Sequence, residues 1–187
     1  MQEIRFHGRG GQGTVVASIL LAKAFFKSGY FVQSFPAFGV ERRGAPVEAY
    51  LRIGEEKIRL RTQITRPDHI LVQDVQLFDR VQVTNGLKSG GWILINTDDG
   101  SPFLDRFPNF RIAAVDATRI ANDHQLGTRT HPIINTAMIG AFAGVLKKPS
   151  MDALTAAITE DIQVKPANNI RAATQAFDTV QRLGMGA

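Results

Sequence analysis

The sequence has no cysteine in its 187 residues. That excludes a disulfide framework, and it excludes an iron–sulfur cluster ligated by cysteines of this chain. The absence fits a reducing compartment, and a cytoplasmic location is the expectation. Long apolar runs are lacking too. The longest, residues 133–146, is interrupted by Asn135 and Thr136 and is too short to span a bilayer, so no membrane partner is expected. Met1 is not followed by a charged segment and an apolar stretch, the pattern of a signal peptide. Acidic residues are in deficit, 17 against 22 basic, which leaves a net charge of +5. The excess gathers at Arg42, Arg43, Arg52, Lys57, Arg59, Arg61 and Arg66. Such a cluster suits nucleic acid, an anionic small molecule, an acidic partner subunit or simply a solvated face. Nucleic acid is the poorest of these readings, because no binding motif is present and no stacking aromatics interleave the cations.

The hydrophobic share of 44% and charged share of 21% are those of a globular chain. Residues 3–7 alternate and then meet glycine, as a short first strand does. An apolar stripe at helical spacing (Val15, Ile19, Leu20, Ala24) predicts a helix over 15–26. Residues 30–38 are β-rich, and Pro36 confines them to an edge or irregular strand. Residues 47–53 and 57–60 flank Gly54-Glu55-Glu56 and predict a hairpin. Further strands are expected at 69–73, 92–96 and 110–115. Helices are expected at 75–87, from Ala117, and at 132–146, 151–159 and 165–183. Strands alternating with helices predict an α/β fold: one three-layer α/β/α domain over residues 1–187, with a mostly parallel sheet made mixed by the hairpin.

Two segments carry the chemistry. Gly8-Arg9-Gly10-Gly11-Gln12-Gly13 has the G-x-G-x-x-G spacing directly between a strand and a helix. The glycines permit a tight turn and close backbone approach, and the helix start offers free N–H donors and a positive dipole end. Phosphate or cofactor binding is one reading, with Arg9 adding a charge. A tight turn needed only for packing or subunit contact is the other. A dinucleotide site would place an acid at the end of the second strand, and Phe31-Val32-Gln33-Ser34-Phe35 has none. An Arg can substitute when the ligand is NADP, so a stand-alone NAD(P)-binding oxidoreductase stays as the alternative. No Gly-Lys-Ser/Thr follows, so this is not a P-loop. The second segment, Phe38-Gly39-Val40-Glu41-Arg42-Arg43-Gly44-Ala45-Pro46, confines three charges between glycines, able to grip an anion or an acidic surface.

These two loops at this distance carry a resemblance. Residues His7 through Gly13, followed by Ser34-Phe35-Pro36-Ala37-Phe38-Gly39-Val40-Glu41-Arg42-Arg43-Gly44-Ala45-Pro46-Val47, resemble the gamma subunit of pyruvate and 2-oxoisovalerate ferredoxin oxidoreductases. Ile58-Arg59-Leu60-Arg61, Val72-Gln73-Asp74, Leu94-Ile95-Asn96-Thr97 and Asn135-Thr136-Ala137-Met138-Ile139-Gly140 extend the likeness. The 2-oxoglutarate-type relatives carry a shorter loop in place of residues 41–46. Ile162-Gln163-Val164-Lys165-Pro166 departs from the family's lysine-rich stretch.

The resemblance implies oxidative decarboxylation of a 2-oxoacid with coenzyme A by a complex of alpha, beta, gamma and delta subunits that reduces ferredoxin. It implies thiamine diphosphate and magnesium between alpha and beta, and [4Fe-4S] clusters in beta and delta. The gamma subunit is then a structural domain binding no cofactor alone, with Gly8, Arg9, Gly10, Gly11, Gln12, Gly13, Glu41, Arg42 and Arg43 toward coenzyme A or the thiamine subunits. No catalytic residue is assigned to it. His7, His69, His124 and His131 lack metal-ligand spacing, and His7 at a strand end reads as structural. Asp98-Asp99 falls in a turn where adjacent carboxylates diverge toward water. Asn135-Thr136 is expected to cap or pack a helix.

Overall fold

The first strand sets the frame. In β1 (Gln2–Arg9) residues 4–7 are all buried, as expected of a strand covered on both faces. The structure, a computed structural model, describes residues 1–37 and 44–185. After β1 come α1 (Thr14–Lys27), β2 (Phe31–Pro36), β3 (Pro46–Gly54) and β4 (His69–Val72). Then follow β5 (Trp92–Asn96), α2 (Pro102–Arg106), β6 (Arg111–Val115), α3 (Ala117–Asp123) and a small hairpin, β7 (Gly127–Thr128) with β8 (His131–Pro132). The chain closes with α4 (Asn135–Leu146), α5 (Met151–Asp161), α6 (Pro166–Thr179) and β9 (Gln181–Met185). The main sheet has the order β2-β3-β1-β4-β5-β6-β9. β1, β2, β4, β5 and β6 run one way and β3 and β9 the other, so the sheet is mostly parallel and mixed, as expected.

Its two faces are unequally clothed. On one, α1, α3, α4, α5 and α6 share a core with Ile4, Phe6, Leu51, Leu71, Leu94 and Ala113. On the other, a 3-10 helix (Val75–Asp79), the turns to Leu87 and α2 cover Ile70, Val72, Ile93, Ile95 and Ile112. The tightest helix contact lies between α4 and α6. A Cβ on Gly140 would come within 2.1 Å of the Ala173 carbonyl oxygen, and one on Gly144 within 2.5 Å of that of Phe177. Two glycines four apart thus let the helix backbones touch, and every residue of α4 except Leu146 is buried.

Five sequence expectations need correction. The hairpin between residues 47–53 and 57–60 does not form, because β3 is hydrogen-bonded to β1 on one edge and β2 on the other. The sheet is mixed through β3 and β9 instead. Residues 75–87 are helical only as far as Asp79. Gly86 has φ +73°, and the carbonyls of Val83 and Asn85 accept from the buried Arg5 guanidinium, at 2.8 and 2.7 Å, instead of from helical N–H groups. The last helix stops at Thr179, since the open edge of β6 takes residues 181–185 as a strand. Residues 131 and 132 belong to β8, and α4 begins at Asn135. Within α1, Ile19 of the apolar stripe faces outward and Leu20 and Ala24 face the core.

Candidate functional site

The chain leaves β1 and β4, which are neighbours, in opposite directions: through α1 on the thick face and through the 3-10 helix on the thin one. The crevice between their carboxyl ends is the topological switch point, where ligands of open α/β sheets bind. The glycine segment lies there. Gln12 folds the turn on itself, its N–H donating to the Arg9 carbonyl and its Oε1 accepting from the Arg9 N–H. Gly11 has φ +98° and Gly13 φ +74°, backbone states that favour glycine. At Gly11 nothing lies within 4 Å of where a Cβ would sit, whereas at Gly13 the Asn135 amide nitrogen fills that space at 2.7 Å. α1 starts at this turn with no side chain of the described residues capping it.

The structure joins the two loops of the sequence motif. The Gly10 N–H donates to the Ala45 carbonyl (2.9 Å) and the Gly44 N–H to the Gly10 carbonyl (3.1 Å). Glu41, Arg42 and Arg43 lie outside the described residues, but the far end of their loop is anchored on this turn, Gly44 on Gly10, and the near end, Ala37, is held on Glu48 of β3. Arg9 is engaged within the chain. Its guanidinium pairs with Asp74 and donates to the Gly44 carbonyl and to Gln76 Oε1. Asp74 also accepts from the Gln76 N–H and so caps the 3-10 helix. Arg9 therefore clips the two turns of the crevice to the root of the charged loop, with its charge already balanced.

Beneath the turn is a polar layer that the sequence motif did not reveal. A Cβ on Gly8 would fall 2.1 Å from Thr14 Oγ1 and 2.3 Å from Gln73 Oε1, atoms hydrogen-bonded to each other at 2.6 Å. Gly8 is glycine so that this pair can occupy its side-chain space. The Gln73 amide nitrogen is buried and has no partner among the described residues. Whichever way that amide is turned, one of its two polar atoms meets Thr14 and the other meets none. Asn96 ties the next turn in, donating to the Gln73 carbonyl and to Thr118 Oγ1. The adjacency of Gln73 and Asp74 to β4 was visible in sequence, but nothing there signalled their pairing with residues about 60 positions earlier.

His7 and His69 serve structure. His7 is buried on the thin face, its Nε2 accepting from Arg5 Nε (2.9 Å) and its Nδ1 3.5 Å from Glu48. Burial, with the Arg5 charge second, pushes it down to about 3, so it stays neutral. His69 Nδ1 accepts from the Trp92 N–H, and burial pushes it down to about 4. Asp98 and Asp99 lie in their turn with no fixed pairing of the two carboxylates, as expected. Asn135 and Thr136 are buried and pack: Asn135 Oδ1 accepts from the Thr136 N–H, and Thr136 donates to Asn169 on α6. Among the described residues no group of three or more His, Asp or Glu could hold a metal ion, and no helix is long and apolar enough to cross a membrane.

Strand order also bears on the dinucleotide alternative. In a dinucleotide site the acid that holds the ribose comes from a strand next to the glycine turn. Here β3 separates β2 from β1, so the end of β2 is not beside the turn.

The chain matches the family described as Pyruvate ferredoxin/flavodoxin oxidoreductase over residues 3–179. It is 50% identical over 181 residues to pyruvate synthase subunit PorC of Methanocaldococcus jannaschii, covering 95% of this chain and 96% of that one. To the pyruvate/ketoisovalerate oxidoreductases common subunit gamma of Thermococcus kodakarensis it is 46% identical, over 95% of this chain and 96% of the other. Among solved structures, pyruvate oxidoreductase subunit PORC of Thermotoga maritima superposes with a TM-score of 0.83 at 34% identity, covering 97% and 98% of the two chains. The glycine turn, the charged loop rooted on it and a sheet of this order therefore belong to a gamma-type subunit of the pyruvate ferredoxin/flavodoxin oxidoreductase family.

Proposed function

We propose that this chain is the gamma subunit of a thiamine diphosphate-dependent 2-oxoacid:ferredoxin oxidoreductase acting on pyruvate or a branched-chain 2-oxoacid. Its partners are the alpha, beta and delta subunits, and ferredoxin accepts the electrons. Its part is to build the coenzyme A-facing wall of the assembled enzyme. The observation that carries this reading is the interlock of Gly10 with Gly44 and Ala45, which gathers a glycine turn, an uncapped helix start and the root of an arginine loop at the switch-point crevice.

Fit to the groups of the reaction differs. A chain without cysteine offers no thiolate ligands to a [4Fe-4S] cluster, and the clusters belong to the other subunits. Thiamine diphosphate and magnesium are assigned to the alpha and beta subunits. Coenzyme A fits better. Its phosphates would be held by N–H groups of the glycine turn and first turn of α1, together with Arg42 and Arg43. Coenzyme A supplies the thiol that accepts the acyl group, and this chain's residues bind and orient without taking a proton.

The test is reconstitution. The isolated chain should show no pyruvate-dependent dye reduction. Enzyme rebuilt with Arg42→Ala and Arg43→Ala should show a several-fold higher KM for coenzyme A with kcat nearly kept. Unchanged kinetics with normal assembly would remove coenzyme A from the reading. Activity of the chain alone would overturn the subunit role.

A further inference from the structure

The segment after β3 has the alternation of a strand, Lys57-Ile58-Arg59-Leu60-Arg61, yet among the described residues no strand pairs with it. Among the described residues, the backbone of residues 55–66 makes no hydrogen bond to another backbone group. The loop that joins β2 to β3 follows Pro36 and precedes Pro46, at the other end of these strands from Gly54. The segment is nevertheless held. It leaves Gly54 in a tight bend, the Thr62 carbonyl accepts from the buried Arg52 (2.7 Å), and Ile64 is buried. Between these anchors Lys57, Arg59, Leu60 and Arg61 are exposed, and Ile58 is half-buried. Lys57, Arg59 and Arg61 take part in none of the ion pairs among the described residues. A cavity of about 590 Å³ opens beside the segment, with Phe25, Tyr30, Ile53 and Ile58 among its walls and Lys148 at its rim. It lies at the end of the sheet away from the glycine turn, against Met1 and Gly54.

We propose that residues 57–61 form a docking strand that is completed by an extended acidic segment of another subunit of the oxidoreductase. The idea rests on the reading of this chain as a subunit. Alternate residues of a strand share a face, so Lys57, Arg59 and Arg61 present one row of cations, matched by carboxylates at alternate positions of the partner. The open N–H and C=O groups find their ladder in the partner backbone, the β-augmentation mode of recognition. Apolar residues of the partner cover Leu60 and Ile58 and enter the cavity. A second copy of this chain would oppose cation to cation, which disfavours it. A nucleic acid would neutralise the cations but offers no backbone ladder and nothing for the apolar row.

Amide hydrogen exchange of residues 55–63, read in the isolated chain and in the purified assembled enzyme, tests this directly. Exchange at least tenfold slower in the enzyme is expected. Lys57→Glu, Arg59→Glu and Arg61→Glu together should weaken incorporation at least tenfold and leave the melting temperature of the isolated chain nearly unchanged. Exchanging each for the other basic residue should keep assembly. Equal exchange in chain and enzyme, or normal incorporation of the charge-reversed chain, would overturn the proposal while leaving the subunit role intact. Protection by polyuridylate RNA in the isolated chain without protection in the enzyme would overturn it in favour of nucleic acid. If the wild-type chain assembles with no other subunit, the subunit reading fails, and this proposal with it.

Discussion

Glycine meets two opposite demands along this chain. Gly11 has open space where a side chain would go and is held to glycine by its φ of +98°, so Gly11→Ala should cost about 1 kcal/mol of backbone strain in the isolated chain. Gly140 sits in ordinary helix and is held by the α6 backbone 2.1 Å from a Cβ, so Gly140→Ala must push two helices apart and should cost about 1–3 kcal/mol. Thermal melts of both variants separate these mechanisms, and equal losses would mean that the contact between α4 and α6 yields easily. The buried histidines make a second residue-scale prediction. His7 and His69 sit at about 3 and about 4 in the folded chain, while in the unfolded chain both titrate at about 6.5. As pH falls below about 6.5 the unfolded state takes up protons that the folded state refuses, so stability declines toward pH 4, by up to about 1.4 kcal/mol per pH unit for each histidine. Urea midpoints at pH 7 and pH 5 should differ accordingly, and the difference should shrink in His69→Gln. A flat profile would mean that the rings are reachable by solvent.

Elements were legible where local pattern and neighbourhood agree. β1, α1, β4, β5, β6 and α5 form where periodicity places them. Residues 75–87 are helical only to Asp79, and beyond it the carbonyls of Val83 and Asn85 serve a buried guanidinium from β1; no local pattern announces a partner 78 residues away. The sequence pattern assigns β9 to the tail of a helix, since α6 is strongly amphipathic and the open edge of β6 exists only in the folded sheet. That strand does more than end the chain. Leu183 lies where a Cβ on Gly100 would meet it at 2.6 Å, and it packs on the thin-face core. Ending the chain after Thr179 should therefore uncover the edge of β6, an apolar strand with free hydrogen-bonding groups. The truncated chain is expected to melt several degrees lower and to self-associate in light scattering. A monomeric truncation with unchanged melting would show that β6 needs no cover.

At the scale of the whole molecule, the sequence conveyed the fold class and the strand-to-helix turn of the candidate site, but not how that turn is held together. Gly8 to Gly13 could be read as a strand-to-helix turn. The polar layer of Thr14, Gln73 and Asn96 beneath it depends on two parallel strands far apart in sequence lying side by side. Arg9 illustrates the same limit, because a lone arginine beside glycines reads as an anion ligand until Asp74 arrives from β4. The thick helical face carries a consequence for the chain's synthesis. α4 is buried on every side, and the helix it packs against most tightly, α6, is made after it. At about 5–20 residues per second the ribosome reaches Thr179 roughly 2–7 s after Leu146. For that interval α4 has α1, α3 and the sheet to lie on but lacks the wall that α6 supplies, so one flank of a largely apolar helix waits uncovered.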